Sequence, residues 1–180
     1  MIRINRLIKR LRNDDGVAAI EFAIIFPFLV LLYLGSVELS FAMIADRKVT
    51  TTAQSLADLI AQVQVTNKDE LDDIYFAAKE IMEPYDTTKL GLIITSVDID
   101  GGGAAKVDWS RGYGTSSPRA KGASVTVPAD LQVPNSSLIL AETTFAYDSG
   151  TRFFLKTTKT LGDQFYMRPR LSDKVVCADC

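Results

Sequence analysis

The sequence predicts an α+β protein in which a long N-terminal transmembrane and amphipathic helix is followed by a small antiparallel-sheet domain. Three observations support this fold class. Residues 17–34 are almost entirely apolar and would span about 27 Å as a helix, close to one bilayer core. Apolar residues at helical spacing continue to about residue 64, without proline or glycine after Gly35. From residue 89 onward, apolar and polar residues alternate as in β-strands.

The composition narrows the class of function. The chain has 180 residues, a formal net charge of −2 and no histidine. The charge lacks the basic character of a nucleic-acid-binding protein, so we expect no nucleic-acid partner. The absence of histidine removes the commonest general base and metal ligand. We therefore expect a non-enzymatic protein without a cofactor, although a hydrolytic Ser–Lys pair stays open because both residue types are common.

The first segment predicts the orientation of the chain in a membrane. Residues 1–16 are expected to form a basic cytoplasmic leader, with cations at Arg3, Arg6, Lys9, Arg10 and Arg12. No comparable basic cluster follows the apolar run, so the positive-inside rule places the N-terminus in the cytoplasm. The protein is then predicted to cross a membrane once, with the C-terminal two-thirds of the chain in the periplasm or outside the cell.

The apolar run contains the residues that define the predicted membrane helix. It is predicted to span Phe22 to Leu34 with Pro27 inside it, where the proline frees the carbonyl of Ala23 and favours a kink. The whole transmembrane and amphipathic segment is expected at residues 17–66. A cleavable secretory signal is a competing interpretation, but the length of the run, Glu21 within it and the lack of a clean A-x-A site disfavour it.

Residues 67–180 are expected to form a periplasmic α+β domain that begins with a second helix. Asn67 followed by acidic residues is typical of a helix N-cap, and Pro84 is expected to end the helix. A strand is predicted at about residues 90–99. A bulge near Thr95 and Ser96 would bring its later apolar residues onto the same face as its earlier ones, and these later residues are Val97 and Ile99.

Further strands are predicted in the last part of the chain. The glycines at 101–103 form a turn, Val107 and Trp109 begin a partner strand, and residues 111–122 form a loop. Alternation predicts strands at 123–127 and 139–147, and a last strand is expected at 164–168. Four or five antiparallel strands result, and the helices are expected to cover one face of their sheet.

One carboxylate stands at the head of the apolar run. Glu21 is followed by no other charged residue until Glu38, and Gly16 precedes it by five positions. A charged group is costly in hydrocarbon, so its presence calls for a functional reason. The small Gly16 would let another protein approach the backbone closely.

This stretch resembles the type IV prepilin processing signal and, more narrowly, the TadE/TadG family of the tight-adherence (Flp, type IVc) pilus system. Family members carry a G-x-x-A-I/V-E-F-A pattern, a proline soon after it and an amphipathic helix beyond. Here the matching sequence is GVAAIEFAIIFPFLVLL, with Gly35 and Glu38 after it. The resemblance covers about residues 15–59, and residues 166–170 also resemble the strand that closes many members. The chain is too short for the von Willebrand-like domain of TadG-type members and longer than the major Flp pilin, which favours a minor TadE-like subunit.

The resemblance implies a pilin-like fold and a membrane-anchored minor pseudopilin that takes part in assembly of a type IV-like pilus for surface adhesion. A prepilin peptidase would cut after Gly16 and leave Val17 as the new N-terminus. Glu21 would pair with the Val17 ammonium of its own or a neighbouring chain and so set the register between subunits. The implied partners are the inner membrane, the prepilin peptidase and other pilin or pseudopilin subunits of a Tad/Flp apparatus.

A second hypothesis needs no processing. In it, the chain is a single-pass inner-membrane protein with an uncleaved anchor and a periplasmic domain that binds a ligand or partner. Glu21 would then lie hydrated at the cytoplasmic interface.

The two cysteines end the chain as a C-x-x-C motif. Cys177 and Cys180 could form a disulfide in the periplasm or remain two thiols on a tail. A zinc site would need two further ligands, and the sequence has no histidine and no third cysteine, so we expect no metal. Asp98 and Asp100 alternate with apolar residues and are interpreted as a solvated strand face rather than a calcium site.

Overall fold

A computed structural model describes residues 14–180, with side chains from residue 16 onward. Residues 1–13 of the predicted basic leader therefore lie outside the described part of the chain. The α+β class is confirmed, because a long apolar N-terminal helix is followed by a small antiparallel-sheet domain. The elements are α1 (Asp14–Ala61), β1 (Val65–Thr66), α2 (Lys68–Met82), β2 (Leu90–Ile99), β3 (Ala105–Gly114), β4 (Ser136–Tyr147), β5 (Lys159–Met167) and β6 (Val176–Cys177).

The first helix is continuous from the apolar run into the domain. α1 has 48 residues, which corresponds to about 72 Å, and Pro27 lies inside it without ending it. The single helix predicted for residues 17–64 is thus confirmed apart from small differences at its ends.

The second helix begins and ends where the sequence signals predicted. Asn67 caps it, because its side-chain oxygen accepts a hydrogen bond from the backbone N–H of Glu70 at 2.9 Å. α2 ends at Met82, just before Pro84. Its buried side chains are Leu71, Ala78 and Met82.

The main sheet has four antiparallel strands in the order β3-β2-β4-β5, in agreement with the expected four or five. The second half of α1 packs across β4 and β5, and α2 packs beside it. A separate pair of short parallel strands, β1 and β6, joins the end of α1 to the C-terminal segment, with Val65 opposite Val176.

Apolar side chains fill both faces of the sheet. On the helix side, the core contains Leu56 and Ile60 from α1, Met82 from α2, and Leu92 and Ile139 from the sheet. On the other side, a smaller cluster is covered by the chain segment 123–131 and contains Val97, Ile99, Val107, Val125, Val127, Leu138 and Leu140. The two faces explain why β2 and β4 are apolar at successive positions.

The predicted bulge is real, but its predicted effect on β2 is wrong. The pairing of β2 with β3 shifts after Ser96, so that Ser96 lies opposite Trp109 and Val97 lies opposite Val107. The pairing of β2 with β4 has no shift. The extra residue therefore belongs to β3 and turns Trp109 toward the helix side. Val97 and Ile99 stay on the opposite face, because an insertion in β3 leaves the alternation of β2 unchanged.

Three predicted strand boundaries are also wrong. β3 continues to Gly114, although residues 111–122 were expected to form a loop. Residues 123–127 form no extended strand; Ser124 makes an isolated bridge to Lys106, and the segment covers the sheet instead. β5 begins at Lys159, well before the predicted start at residue 164.

The glycine in the middle of β3 explains the first of these errors. A side chain at Gly112 would place its Cβ 2.7 Å from the backbone of Ser116 and Pro118. The loop that follows β3 folds back over the strand at this point, and only glycine leaves room for it. Glycine here therefore marks a close approach of two backbones, whereas the sequence pattern indicated a turn.

Candidate functional site at the exposed half of the first helix

The first half of α1 projects from the folded domain. Its large apolar side chains are exposed on every side of the helix, and Leu32 reaches 72% exposure. No described part of the domain buries the most apolar stretch of this half. Within residues 14–180, this is the one helix long and apolar enough to cross a membrane. An apolar surface of this extent needs a non-aqueous environment, so a membrane anchor is plausible.

The predicted processing residues lie in the first turns of this helix. Within the described part of the chain, nothing lies within 4 Å of the position that a Cβ on Gly16 would take. Val17 is exposed, and Glu21 is also exposed. Among the described residues, Glu21 has no hydrogen bond and no ion pair.

The helix brings Val17 and Glu21 together. Residues four apart lie on one face of a helix, and side chains lean toward its N-terminus. Glu21 therefore lies on the same face of α1 as Val17, one turn farther along the helix. If the chain were cut after Gly16, that nitrogen would carry a positive charge one helical turn from the carboxylate.

The residues predicted within the membrane span follow along the same helix. Phe22 is exposed and its ring lies 5.4 Å from that of Phe26, measured between centroids. Pro27 is followed by uninterrupted helix. Leu34 is only half exposed, because the folded domain begins to contact the helix at this level.

The contact at that level is made by a loop between β4 and β5, residues 148–158, here called the aromatic loop. The ring of Phe154 lies against Gly35, with its nearest atom 3.2 Å from the position that a Cβ on Gly35 would take. The loop also carries Phe153, whose ring is next to that of Phe154 at 6.2 Å between centroids.

Glu38 has a structural role that the sequence reasoning missed. Its side chain is buried, with 3% exposure. One carboxylate oxygen accepts the backbone N–H of Phe154 at 2.7 Å, and the other accepts the hydroxyls of Thr151 (3.1 Å) and Ser149. Glu38 thus joins α1 to the aromatic loop. A lone carboxylate in an apolar helix was the available signal, but its partners lie 111 or more residues along the chain.

The second half of α1 has one buried and one exposed side. The buried side includes Ala45, Val49, Leu56 and Ile60. Apolar side chains also remain on the exposed side, at Leu39, Phe41, Met43, Ile44 and Leu59. The predicted apolar stripe therefore packs in part against the protein's own domain, and part of it stays available to neighbours.

The two cysteines are joined in the structure. A disulfide connects Cys177 and Cys180, with 5.6 Å between their Cα atoms. Asp179 lies between them and accepts the backbone N–H of Lys68 at the start of α2, at 2.9 Å. Because the two sulfurs are bonded to each other, this group offers no thiolate to a metal ion.

The domain surface also has open concavities. One of about 510 Å³ lies between α2 and the turn that follows it, and its lining includes Phe76, Lys79, Glu80, Glu83, Pro84, Tyr85 and Thr87. The sequence left a hydrolytic Ser–Lys pair open. Among the described residues, the amines of Lys48, Lys89 and Lys174 donate hydrogen bonds, and their acceptors are the carbonyl of Ile81 and the carboxylates of Asp148 and Asp108. The structure thus brings no serine hydroxyl to these amines in the part of the chain that it describes.

Comparison with known proteins identifies the N-terminal segment. Residues 16–58 match the family model described as TadE-like protein. No curated protein and no solved structure matches the chain. The family match begins at Gly16, contains Glu21, Pro27 and Glu38, and ends close to the end of α1. The resemblance found in the sequence is therefore confirmed: the chain carries a TadE-like domain at residues 16–58, as a TadE-like family protein of the Tad pilus system would.

Proposed function

We propose that this chain is a non-enzymatic, membrane-anchored minor pseudopilin that takes part in assembly of a Tad/Flp pilus for surface adhesion. The observation that carries the proposal is the exposed apolar first half of α1, which lies within the TadE-like match and continues into a folded domain. The N-terminus lies in the cytoplasm, the helix spans the bacterial inner membrane, and the domain lies in the periplasm. The basic residues before the span support this orientation.

Processing by a prepilin peptidase is part of the proposal. The cut falls after Gly16, which no other described part of the chain crowds, and creates an ammonium at Val17. Glu21 then pairs with this ammonium within the subunit or across to a neighbour. Two charges in hydrocarbon cost less when paired, so the pair favours one axial register between adjacent helices.

Lateral contacts with other subunits are the second part. The exposed apolar side chains of α1 that face away from its own domain, such as Leu39 and Met43, give neighbouring pilin helices a surface to pack against. Within the bilayer, the first half of α1 presents apolar side chains on all sides. A subunit built in this way can be surrounded by others.

A pair of matched variants tests the assembly role. Glu21→Ala removes the carboxylate within the span, and Asp46→Ala removes an exposed carboxylate on the same helix outside it. In cells that carry the pilus apparatus, the unmodified protein and Asp46→Ala are expected to cross-link to pilin or pseudopilin subunits. Glu21→Ala is expected to remain in the membrane fraction but to lose most of this cross-linking.

Two results would contradict the assembly role. One is an unmodified protein that cross-links to no pilus subunit while the pilus is being made. The other is a Glu21→Ala variant that assembles as well as Asp46→Ala.

A further inference from the structure

The aromatic loop lies at the level where α1 leaves the predicted membrane span. Phe154 packs on Gly35, the residue after Leu34, and Glu38 is one helical turn farther. At 1.5 Å per residue, Glu38 lies about 6 Å beyond the end of the span. The loop is therefore placed at the height of lipid head groups, if the helix spans the bilayer as proposed above.

The loop is held in this place at both of its ends. Glu38 accepts hydrogen bonds from three loop donors, as described above. At the base of the loop, Asp148 accepts a hydrogen bond from Thr158 at 2.5 Å and forms an ion pair with Lys89 at 2.7 Å. The loop backbone is thus attached to α1 through Glu38 and to Lys89, the residue before β2.

The outward side chains combine two aromatic rings with two cations. Phe153 and Phe154 are 53% and 55% exposed. Arg152 and Lys156 are also exposed, and neither has a carboxylate within ion-pair distance among residues 16–180. Phenylalanine is among the residues that interfacial segments bury at the boundary between head groups and acyl chains, and cations favour lipid phosphates. This combination suits a phospholipid surface better than water.

We propose that the aromatic loop is a second membrane contact of the protein. Phe153 and Phe154 enter the outer interface of the bilayer, Arg152 and Lys156 contact lipid phosphates, and Glu38 positions the loop on the helix. A helix alone would leave the domain free to rotate about the membrane normal and to tilt. The second contact fixes which face of the domain is turned toward the membrane. This inference rests on the membrane span of the proposed function.

A fluorescence experiment on the full chain tests the proposal. The single native tryptophan, Trp109, is buried in the domain, so the unmodified protein supplies the background emission. A reporter is introduced by Phe153→Trp. The protein is reconstituted in vesicles of phosphatidylcholine with brominated acyl chains, mixed with phosphatidylglycerol, because bromine quenches tryptophan that reaches the lipid.

Two control variants place the reporter elsewhere. Phe76→Trp uses a side chain of similar exposure, 60%, on α2. Lys48 lies 14 residues after Leu34, about 21 Å beyond the span at 1.5 Å per residue. Its amine donates a hydrogen bond to the carbonyl of Ile81 at the C-terminal end of α2. Phe76 precedes Ile81 on α2 and therefore lies about 20 Å or more beyond the span. Phe28→Trp places the reporter inside the span itself. We expect loss of emission for Phe153→Trp and Phe28→Trp, and no loss for Phe76→Trp.

The outcomes separate this proposal from the proposed function. If Phe28→Trp is quenched and Phe153→Trp is not, the helix is in the bilayer and the loop contact is wrong. If neither is quenched, the membrane span itself is wrong and the proposed function fails with it. If the bromine does not quench Phe153→Trp, and the emission of this variant changes only when the protein density in the vesicles is raised, a second copy of the chain covers the loop. That result overturns the lipid contact.

The role of Glu38 is tested with the same reporter. Glu38→Ala combined with Phe153→Trp removes the acceptor of the three loop donors. We expect weaker quenching than with Phe153→Trp alone, because the loop is no longer fixed at the membrane surface. Unchanged quenching would overturn the positioning role of Glu38. The single variant Glu38→Ala, in which Trp109 is the only tryptophan, checks through its native emission wavelength that the domain stays folded.

Discussion

The two halves of α1 are built from similar apolar residues but have opposite surroundings. In the first half Leu32 is 72% exposed, whereas in the second half Leu56 is 1% exposed. The first half has apolar side chains on every face, and the second half has an apolar stripe next to polar residues. One stripe can be buried by one partner, which is the protein's own sheet. A helix that is apolar all round needs a bilayer or several neighbours.

The carboxylates of the two halves differ in the same way. Glu38 finds three hydrogen-bond donors within the folded chain. Glu21 has no such partner among the residues that the structure describes. A carboxylate without a partner at the head of an apolar span is costly unless water or a group from outside the fold solvates it. In the proposed function, the partner of Glu21 is the N-terminal ammonium that processing creates, on the same chain or on a neighbouring subunit.

The largest expected effect comes from truncating one leucine in each half. Leu56→Ala removes a fully buried side chain from the core and is expected to lower the free energy of unfolding by about 2–5 kcal/mol. Leu32→Ala is expected to change it by less than about 0.5 kcal/mol, because the side chain lies outside the domain. Denaturation in detergent, followed by the fluorescence of Trp109 in the same core, measures both values. Equal losses from the two variants would contradict the division of the helix.

Insertion of α1 into the membrane should depend on its first half and not on its second half, the opposite of the stability of the domain. Ile25→Arg places a charge near the middle of the span and is expected to oppose insertion by about 2.5–3.5 kcal/mol. Gln54→Arg changes an exposed position of the second half and is expected to have no effect on insertion. Carbonate extraction of membranes measures the fraction of each variant that remains inserted. Release of the unmodified protein by carbonate would contradict a span at residues 17–34, and equal retention of Ile25→Arg and Gln54→Arg would contradict the position of Ile25 at its centre.

The disulfide sharpens the comparison at the end of α1 that lies away from the membrane. Replacing both Cys177 and Cys180 with serine opens a ring that spans a sequence separation of only 3. So short a loop gives little entropic stabilisation, and we expect a loss of at most about 2 kcal/mol in unfolding free energy. Unfolding of the unmodified protein with and without a reductant provides the same comparison. Complete unfolding on reduction would show that this motif has a larger role than closing the β1–β6 contact.

The smallest expected effect is that of pH on the base of the aromatic loop. The hydrogen bond from Lys89, followed by that from Thr158, lowers the pKa of Asp148 below its usual value of 3.8. A lowered pKa in the folded state stabilises that state above the usual value, and this contribution is lost as the pH falls through the lowered pKa. Cleavage by pepsin within residues 148–158 should therefore rise at the acid end of its range. Above the lowered pKa of Asp148, pepsin should cleave the Asp148→Asn variant faster than the unmodified protein. The cleavage rate of the variant should also depend less on pH.

The helices could be predicted from sequence because their signals are local. Asn67 and Pro84 mark the limits of α2, and the absence of breakers after Gly35 predicts the length of α1. The family pattern pointed to Gly16 and Glu21 for the same reason. The strand boundaries were less accurate, because Gly112 lies within β3, where the loop after the strand closely approaches its backbone, rather than in the predicted loop.

The contacts around Glu38 and the two faces of the sheet could not be predicted in this way. The donors to Glu38 come from a loop far along the chain, and no local pattern connects them. Val97 and Ile99 face away from the helices because the extra residue of the bulge belongs to β3. Both features depend on which strands become neighbours, which spacing along one strand does not contain.

The N-terminus of the mature protein tests the central claim most directly. The protein is isolated from its native membranes, in cells with an active prepilin peptidase, and its N-terminal peptide is determined by mass spectrometry. The account predicts a chain that begins at Val17. Glu21 would then be the fifth residue of the mature chain, as in the prepilin processing signal that this stretch resembles. An intact N-terminus at Met1 would contradict processing and would favour the uncleaved anchor with a periplasmic binding domain.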